Sequence, residues 1–159
     1  MPRSAADRRA ELIERIDRQG RRSGSVGALH AKALAERAEL HGTDWECIDV
    51  LDWAGALPAG ELARRVGVTS GAITGAIDRL ERRGLVRRVK DPGDRRRVIV
   101  ELRRDGLDPD EWGGIFGALA GEMDELNGRF DDKQLAAIAE WLAGANDALE
   151  RSVERLRDR

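Results

Sequence analysis

Apolar residues recur with helical spacing through most of the chain and alternate with polar ones over one short stretch, and that contrast predicts the architecture. From about Ala5 to Leu40 the residues favour helix, with Leu12, Ile13 and Ile16 on one face and Leu29, Ala33 and Leu34 further on. Gly20, Gly24 and Gly27 interrupt the run, which reads as one long bent helix or two short ones. Thr43-Asp44-Trp45-Glu46 has the form of a capping box, so a new helix is expected there, with Cys47, Val50, Leu51 and Ala54 on one face. Ala59 to Val66 makes a short helix closed by Gly67, and Thr69 opens another that runs from Ser70 to Arg83, with Gly84 as its left-handed cap.

In that helix Ile73, Ile77 and Leu80 point inward, while Ser70, Gly71, Thr74, Gly75, Asp78 and Arg82 line the opposite face. Two glycines inside a helix cost about 1 kcal/mol each relative to alanine, so a face stripped of bulk implies that another surface comes close. A duplex major groove is such a surface; a neighbouring helix is the alternative. Next, Leu85 to Lys90 and Arg97 to Leu102 alternate around Asp91-Pro92-Gly93-Asp94-Arg95-Arg96, which predicts a β-hairpin with arginines at its tip. Short helices, a longer helix and a basic hairpin in succession make a winged helix-turn-helix. Beyond it, Asp108-Pro109-Asp110-Glu111 launches a helix to about Asn127, and Asp131 starts the last one. There Leu135, Leu142, Leu149 and Leu156 repeat every seven residues, a period that calls for a long helical partner. With Leu12 and Ile16 of the first helix they are candidates for a dimer interface, and packing within one chain is the alternative. The fold class expected is mainly α with a small β-hairpin wing: a winged helix-turn-helix (43–106) flanked by N-terminal (1–42) and C-terminal (107–159) dimerisation helices.

Charge sharpens this picture. The chain's net charge is only −2, yet eleven basic and four acidic residues fall between Arg79 and Arg104, leaving the remainder strongly acidic. Such asymmetry suits a segment that meets a polyanion, although a solvated charged face would look the same. One cysteine and two histidines leave little for a thiolate zinc site or for acid–base chemistry, so no metal and no cofactor are expected. On the apolar face beside Val50 and Leu51, Cys47 reads as a buried small hydrophobe rather than a redox sensor. No stretch approaches the roughly 18 apolar residues of a membrane span, and Met1-Pro2-Arg3-Ser4 leads into no signal-like core, so no membrane partner and a cytoplasmic location are expected.

Taken together, Glu61-Leu62-Ala63-Arg64-Arg65-Val66-Gly67-Val68-Thr69-Ser70, Ile77-Asp78-Arg79-Leu80-Glu81, Arg83-Gly84-Leu85-Val86-Arg87-Arg88 and Asp91-Pro92-Gly93-Asp94-Arg95-Arg96-Arg97-Val98 resemble the MarR family of multiple-antibiotic-resistance regulators. The resemblance is tight over about residues 44 to 103; Pro58 departs from it, standing where the family often has a Ser or Thr cap. It implies a homodimeric regulator, usually a repressor, on a pseudo-palindromic site in double-stranded DNA. Ser70, Gly71, Thr74, Gly75 and Arg79 would then face the major groove, and Thr69, Arg82, Lys90, Arg95, Arg96 and Arg97 complete the DNA-binding set. Asp94 and Asp78 would position the wing, Asp78 by pairing with Arg96. The resemblance further implies a small aromatic effector between the DNA-binding lobe and the dimer helices; His30, His41, Trp45, Trp53 and Trp112 are candidates by location, with simple packing as the alternative for each. Two other functions compete. One is a winged-helix protein-interaction module whose basic wing docks an acidic partner. The other is a small hydrolase or transferase, disfavoured because no nucleophile, base and orienting acid fall at a recognised spacing.

Overall fold

A 33-residue helix, α1 (Ala5–Arg37), opens the computed structural model, which describes residues 4–91, 93, 98–103 and 119–157. Ser4 caps it: its hydroxyl accepts from the Asp7 N–H, and the Asp7 carboxylate accepts from the Ser4 N–H, each at 3.1 Å. Of the two readings left open by Gly20, Gly24 and Gly27, the continuous helix is the one observed. The cap and outward i,i+4 pairs such as Glu14–Arg18 and Glu36–Lys32 help offset the glycines' backbone entropy. At its far end the Glu39 N–H donates to Glu36 and the Leu40 N–H to Ala35, a Schellman closure that holds Glu39 at φ 51°.

That closure corrects the expected start of α2 (Gly42–Ala54). The capping box from Thr43 to Glu46 does not form, because the chain leaves the turn already extended at His41, whose carbonyl accepts from the Asp44 and Trp45 N–H groups. Thr43 therefore lies inside the first helical turn, where a residue cannot cap. The buried stripe of α2 is Asp44, Trp45, Cys47, Ile48 and Leu51, while Val50 and Ala54, expected on that face, are half-buried.

The compact part follows: β1 (Leu57–Pro58), α3 (Ala59–Val66), α4 (Ser70–Arg82), β2 (Val86–Lys90) and β3 (Val98–Leu102). The strands form one antiparallel sheet in the order β1-β3-β2, with Val86 opposite Leu102, Arg88 opposite Val100, and Leu57 opposite Val100 on the other side. Strand β1 went unread in the sequence, since two residues carry no alternation; its Pro58 is tolerated because β1 is an edge. Leu62, Ile73, Ile77, Leu80, Val86 and Val100 are completely buried between helices and sheet. Each contributes roughly 1.5–3 kcal/mol of apolar burial, and together they fix the back of α4. Gly84, at φ 73°, turns the chain from α4 into β2, a conformation that an L side chain rarely adopts.

These elements and α1 form one compact unit, and the C-terminal helices form a second. The second unit contains α5, seen over residues 119–127, and α6 (Asp132–Arg157). Asp131 and Gln134 cap α6 reciprocally, at 2.8 and 3.0 Å. No residue of α6 is buried: Leu142, Leu149 and Leu156 are exposed and Leu135 is half-buried. The helix start expected at Asp108 lies outside the described residues. Among the described residues no helix is long and apolar enough to cross a membrane.

Candidate nucleic-acid interface

Burial of Ile73, Ala76, Ile77 and Leu80 leaves α4 with one outward face. Thr69 caps it, its hydroxyl accepting from the Ala72 N–H at 3.3 Å, so Thr69 shapes the helix start as well as standing at it. Ser70, Gly71 and Thr74 are exposed. The Thr74 hydroxyl donates to the Ser70 carbonyl at 2.8 Å, which leaves its oxygen free to accept and its methyl free to touch. A methyl added at Gly71 would meet nothing within 4 Å, whereas at Gly75 it would meet the Arg79 Nη1 at 3.4 Å. The two glycines therefore differ: Gly71 opens the surface, and Gly75 underlies an arginine.

The arginines divide between internal and outward roles. Arg79 donates to both carboxylate oxygens of Asp44, Nε at 2.9 Å and Nη2 at 2.5 Å. Arg83 donates to the Glu39 and Ala38 carbonyls at the end of α1. Arg88, on β2, bridges Asp78 and Glu81 on α4, and Arg87 pairs with Glu101 across the hairpin. Asp78 accepts from Arg88 at 2.5 Å, while the Arg96 it is expected to hold lies outside the described residues. Arg82 donates its Nε to the Asp78 carbonyl and is exposed, and Lys90 is exposed at the end of β2. In the turn between the strands the Asp91 carboxylate accepts from the Gly93 N–H at 2.8 Å. Asp94, Arg95, Arg96 and Arg97 lie outside the described residues. Much of the positive run is thus joined to carboxylates and carbonyls that fasten α4 and the wing strand, a division that charge counting does not reveal.

Asp44 is the residue the sequence reading missed, standing without a role between the expected capping residues Thr43 and Glu46. It is 3% exposed. The available signal was its spacing: Asp44, Cys47, Ile48 and Leu51 fall at i, i+3, i+4 and i+7, so this carboxylate lies on a core stripe and requires a cation. Hydrogen bonding to Asp44 in turn raises the pKa of Arg79. Cys47 is fully buried, and burial, aided by the charges of Asp44 and Glu46, pushes its thiol up to about 12. A thiol held so far from ionisation is a poor nucleophile and a poor redox sensor.

Among the described residues, the expected effector residues do not line one cavity. His41 caps α2 and lines a cavity of about 280 Å³ with Asp44, Arg79, Arg82 and Arg83. Trp45 lines another, of about 390 Å³ between α1 and α2, with Ala28, Ala31, Lys32 and Leu40. His30 is exposed on α1, outside the linings of both. Trp53, near the other end of α2, is 59% exposed with the Arg65 guanidinium 5.2 Å from its ring centre. Trp112 lies outside the described residues. Among the described residues no three His, Cys, Asp or Glu side chains are grouped to hold a metal ion.

A helix presenting its N-terminal half outward, buttressed by two other helices and flanked by a hairpin, is a DNA-binding winged helix. Residues 40–98 match the MarR family. A Bacillus subtilis protein named as the uncharacterized HTH-type transcriptional regulator YcgE is 34% identical over 97% of this chain and 99% of its own length. Among solved structures, a MarR family protein from Bacillus stearothermophilus superposes with a TM-score of 0.61 at 17% identity, covering 89% of this chain and 97% of that one. NadR in complex with 4-hydroxyphenylacetate superposes at 0.55 and 21% identity, covering 91% and 97%. The chain belongs to the MarR family. It is a transcriptional regulator rather than an enzyme.

Proposed function

We propose that the chain acts in the cytoplasm as a homodimeric, sequence-specific repressor of transcription, reading a pseudo-palindromic operator whose half-sites lie about one helical turn apart. The observation that carries this reading is the outward N-terminal face of α4, where Ser70, Gly71 and Thr74 are exposed above a fully buried apolar back. Thr69, Ser70, Gly71, Thr74 and Gly75 enter the major groove. Arg82 and Lys90 meet phosphates, and Arg95, Arg96 and Arg97 lie along the adjacent minor groove, with Asp78 and Asp94 positioning the wing. The dimer is built from the flanking segments, 1–42 and 107–159, around the winged helix of 43–106; the exposed Leu12, Ile16, Leu142, Leu149 and Leu156, together with Leu135, supply its apolar seam.

The α1–α2 cavity is the proposed effector site. Its volume of about 390 Å³ suits a small aromatic molecule, and its lining joins Trp45, Ala28, Ala31 and Leu40 to Lys32 and the carboxylates of Glu36 and Glu46. The complex of the structurally similar NadR with 4-hydroxyphenylacetate supports the chemical class. The test is selection of randomised duplexes on the full chain at near-physiological salt, with the mass in solution recorded and aromatic acids added afterwards. A dimer that enriches an inverted repeat and releases it on addition of an aromatic carboxylate is the expected outcome. Binding that enriches no site and vanishes as salt rises would favour a protein-interaction module instead.

A further inference from the structure

We propose that Asp44 and Arg79 are a positioning pair that sets the attitude of the recognition helix, so that Arg79, half-buried against Asp44, serves DNA reading by holding α4 in place rather than by touching the duplex. The proposal rests on the reading of α4 as the recognition helix. Helix α2 packs on α4, and the buried side chains of both are mostly apolar; such burial is non-directional and resists separation more than rotation or sliding. The Asp44–Arg79 contact differs in kind. Two N–H···O bonds, at 2.9 and 2.5 Å, match a planar guanidinium to a planar carboxylate, which fixes both separation and relative orientation.

The surroundings make the pairing hard to exchange. Asp44 is 3% exposed, so an arginine that turned away toward a phosphate would leave a carboxylate buried without its cation. Gly75, one turn before Arg79, carries no Cβ where the Arg79 Nη1 passes, 3.4 Å from where that atom would be. One turn after Arg79, Arg83 donates to the Ala38 and Glu39 carbonyls at 3.1 and 2.8 Å. Successive turns of α4 are thus tied to the junction between α1 and α2, while Ser70, Gly71 and Thr74 stand free at the opposite end. Because α4 is about 20 Å long, a small tilt at the tied end becomes a displacement at the reading end, where contacts tolerate roughly 0.5 Å.

The experiment compares Asp44→Asn, Arg79→Gln, Arg79→Lys and the Asp44→Asn/Arg79→Gln double variant with the unmodified chain, all at full length. Affinity for the selected operator and for a scrambled duplex is measured over a range of salt, and folding is followed by circular dichroism and urea unfolding. The expected result is that each single variant loses operator affinity but not scrambled-duplex affinity. The double variant should be no worse than either single one, and the salt slope should stay unchanged. Arg79→Lys, which keeps the charge but not the fork, should fail to restore discrimination. A salt slope lowered by about one contact in Arg79→Gln, with Asp44→Asn unimpaired, would make Arg79 a phosphate ligand and overturn the proposal. Equal losses on both duplexes, tracking the unfolded fraction, would reduce the pair to a structural role and also overturn it. If Asp44→Asn does not fold, Arg79→Lys decides alone: restored discrimination overturns the proposal and lost discrimination supports it. Failure of the unmodified chain to enrich any operator would instead remove the DNA-reading assignment beneath it.

Discussion

Gly71 and Gly75 stand one turn apart on α4, and a methyl group would have different consequences at each. At Gly71 it would project into open space, so Gly71→Ala should stabilise the free protein by about 0.5–1 kcal/mol through helix propensity alone. The same methyl would stand in the layer that a duplex must occupy, so operator affinity should fall as stability rises. Urea unfolding and operator titration on the same preparation check both signs. A Gly71→Ala protein that is more stable and binds DNA unchanged would mean that this face is not closely docked. The two glycines were legible from sequence as a face without bulk, but the reason for Gly75 was not, because it depends on where the Arg79 side chain travels. Nor does residue type alone reveal that Asp44 is buried with Arg79; only its i, i+3, i+4, i+7 relation to Cys47, Ile48 and Leu51 hints at it.

Among the elements, α3, α4 and the hairpin were legible because their apolar period, glycine caps and Pro-Gly turn all agree, and such agreement is what a foldable sequence requires. The start of α2 was misread because two capping signals overlap within five residues. The Schellman closure of α1 comes first along the chain and leaves His41 extended, so Thr43 is already helical when its own signal begins. The closure also places Glu39 in the left-handed region at φ 51°, where a non-glycine residue carries a penalty of about 1–2 kcal/mol. Glu39→Gly removes that penalty but adds about 0.4–1 kcal/mol of unfolded-state entropy. A net gain of about 0–1.6 kcal/mol is expected, read as a higher urea midpoint with an unchanged slope. A loss of stability would show that the Glu39 side chain contributes more than its backbone costs. Because Arg83 binds the Ala38 and Glu39 carbonyls within this turn, the junction that ends α1 also anchors the recognition helix.

On the scale of the whole molecule, the distribution of apolar surface fits the proposed dimer. Every residue from Ser4 to His30 is exposed, Leu12, Ile13 and Ile16 among them. Helix α6 has no fully buried residue along its 26 while displaying Ile138, Leu142, Leu149, Val153 and Leu156. Helices gain most of their stability by packing an apolar face, so two long helices with bare stripes imply an occupant, and the seven-residue leucine repeat suits another helix better than a small ligand. Leu142→Glu combined with Leu149→Glu puts two charges into that seam without touching the winged helix. Sedimentation of the double variant should give a monomer where the unmodified chain gives a dimer. Operator affinity should then fall by about 10²–10⁴-fold, because the second half-site loses its tethered partner, while affinity for a single half-site stays near that of the unmodified chain. A double variant that sediments with the unmodified chain would exclude the α6 seam as the interface. A monomer that holds the operator at full affinity would instead remove the need for two copies in DNA reading.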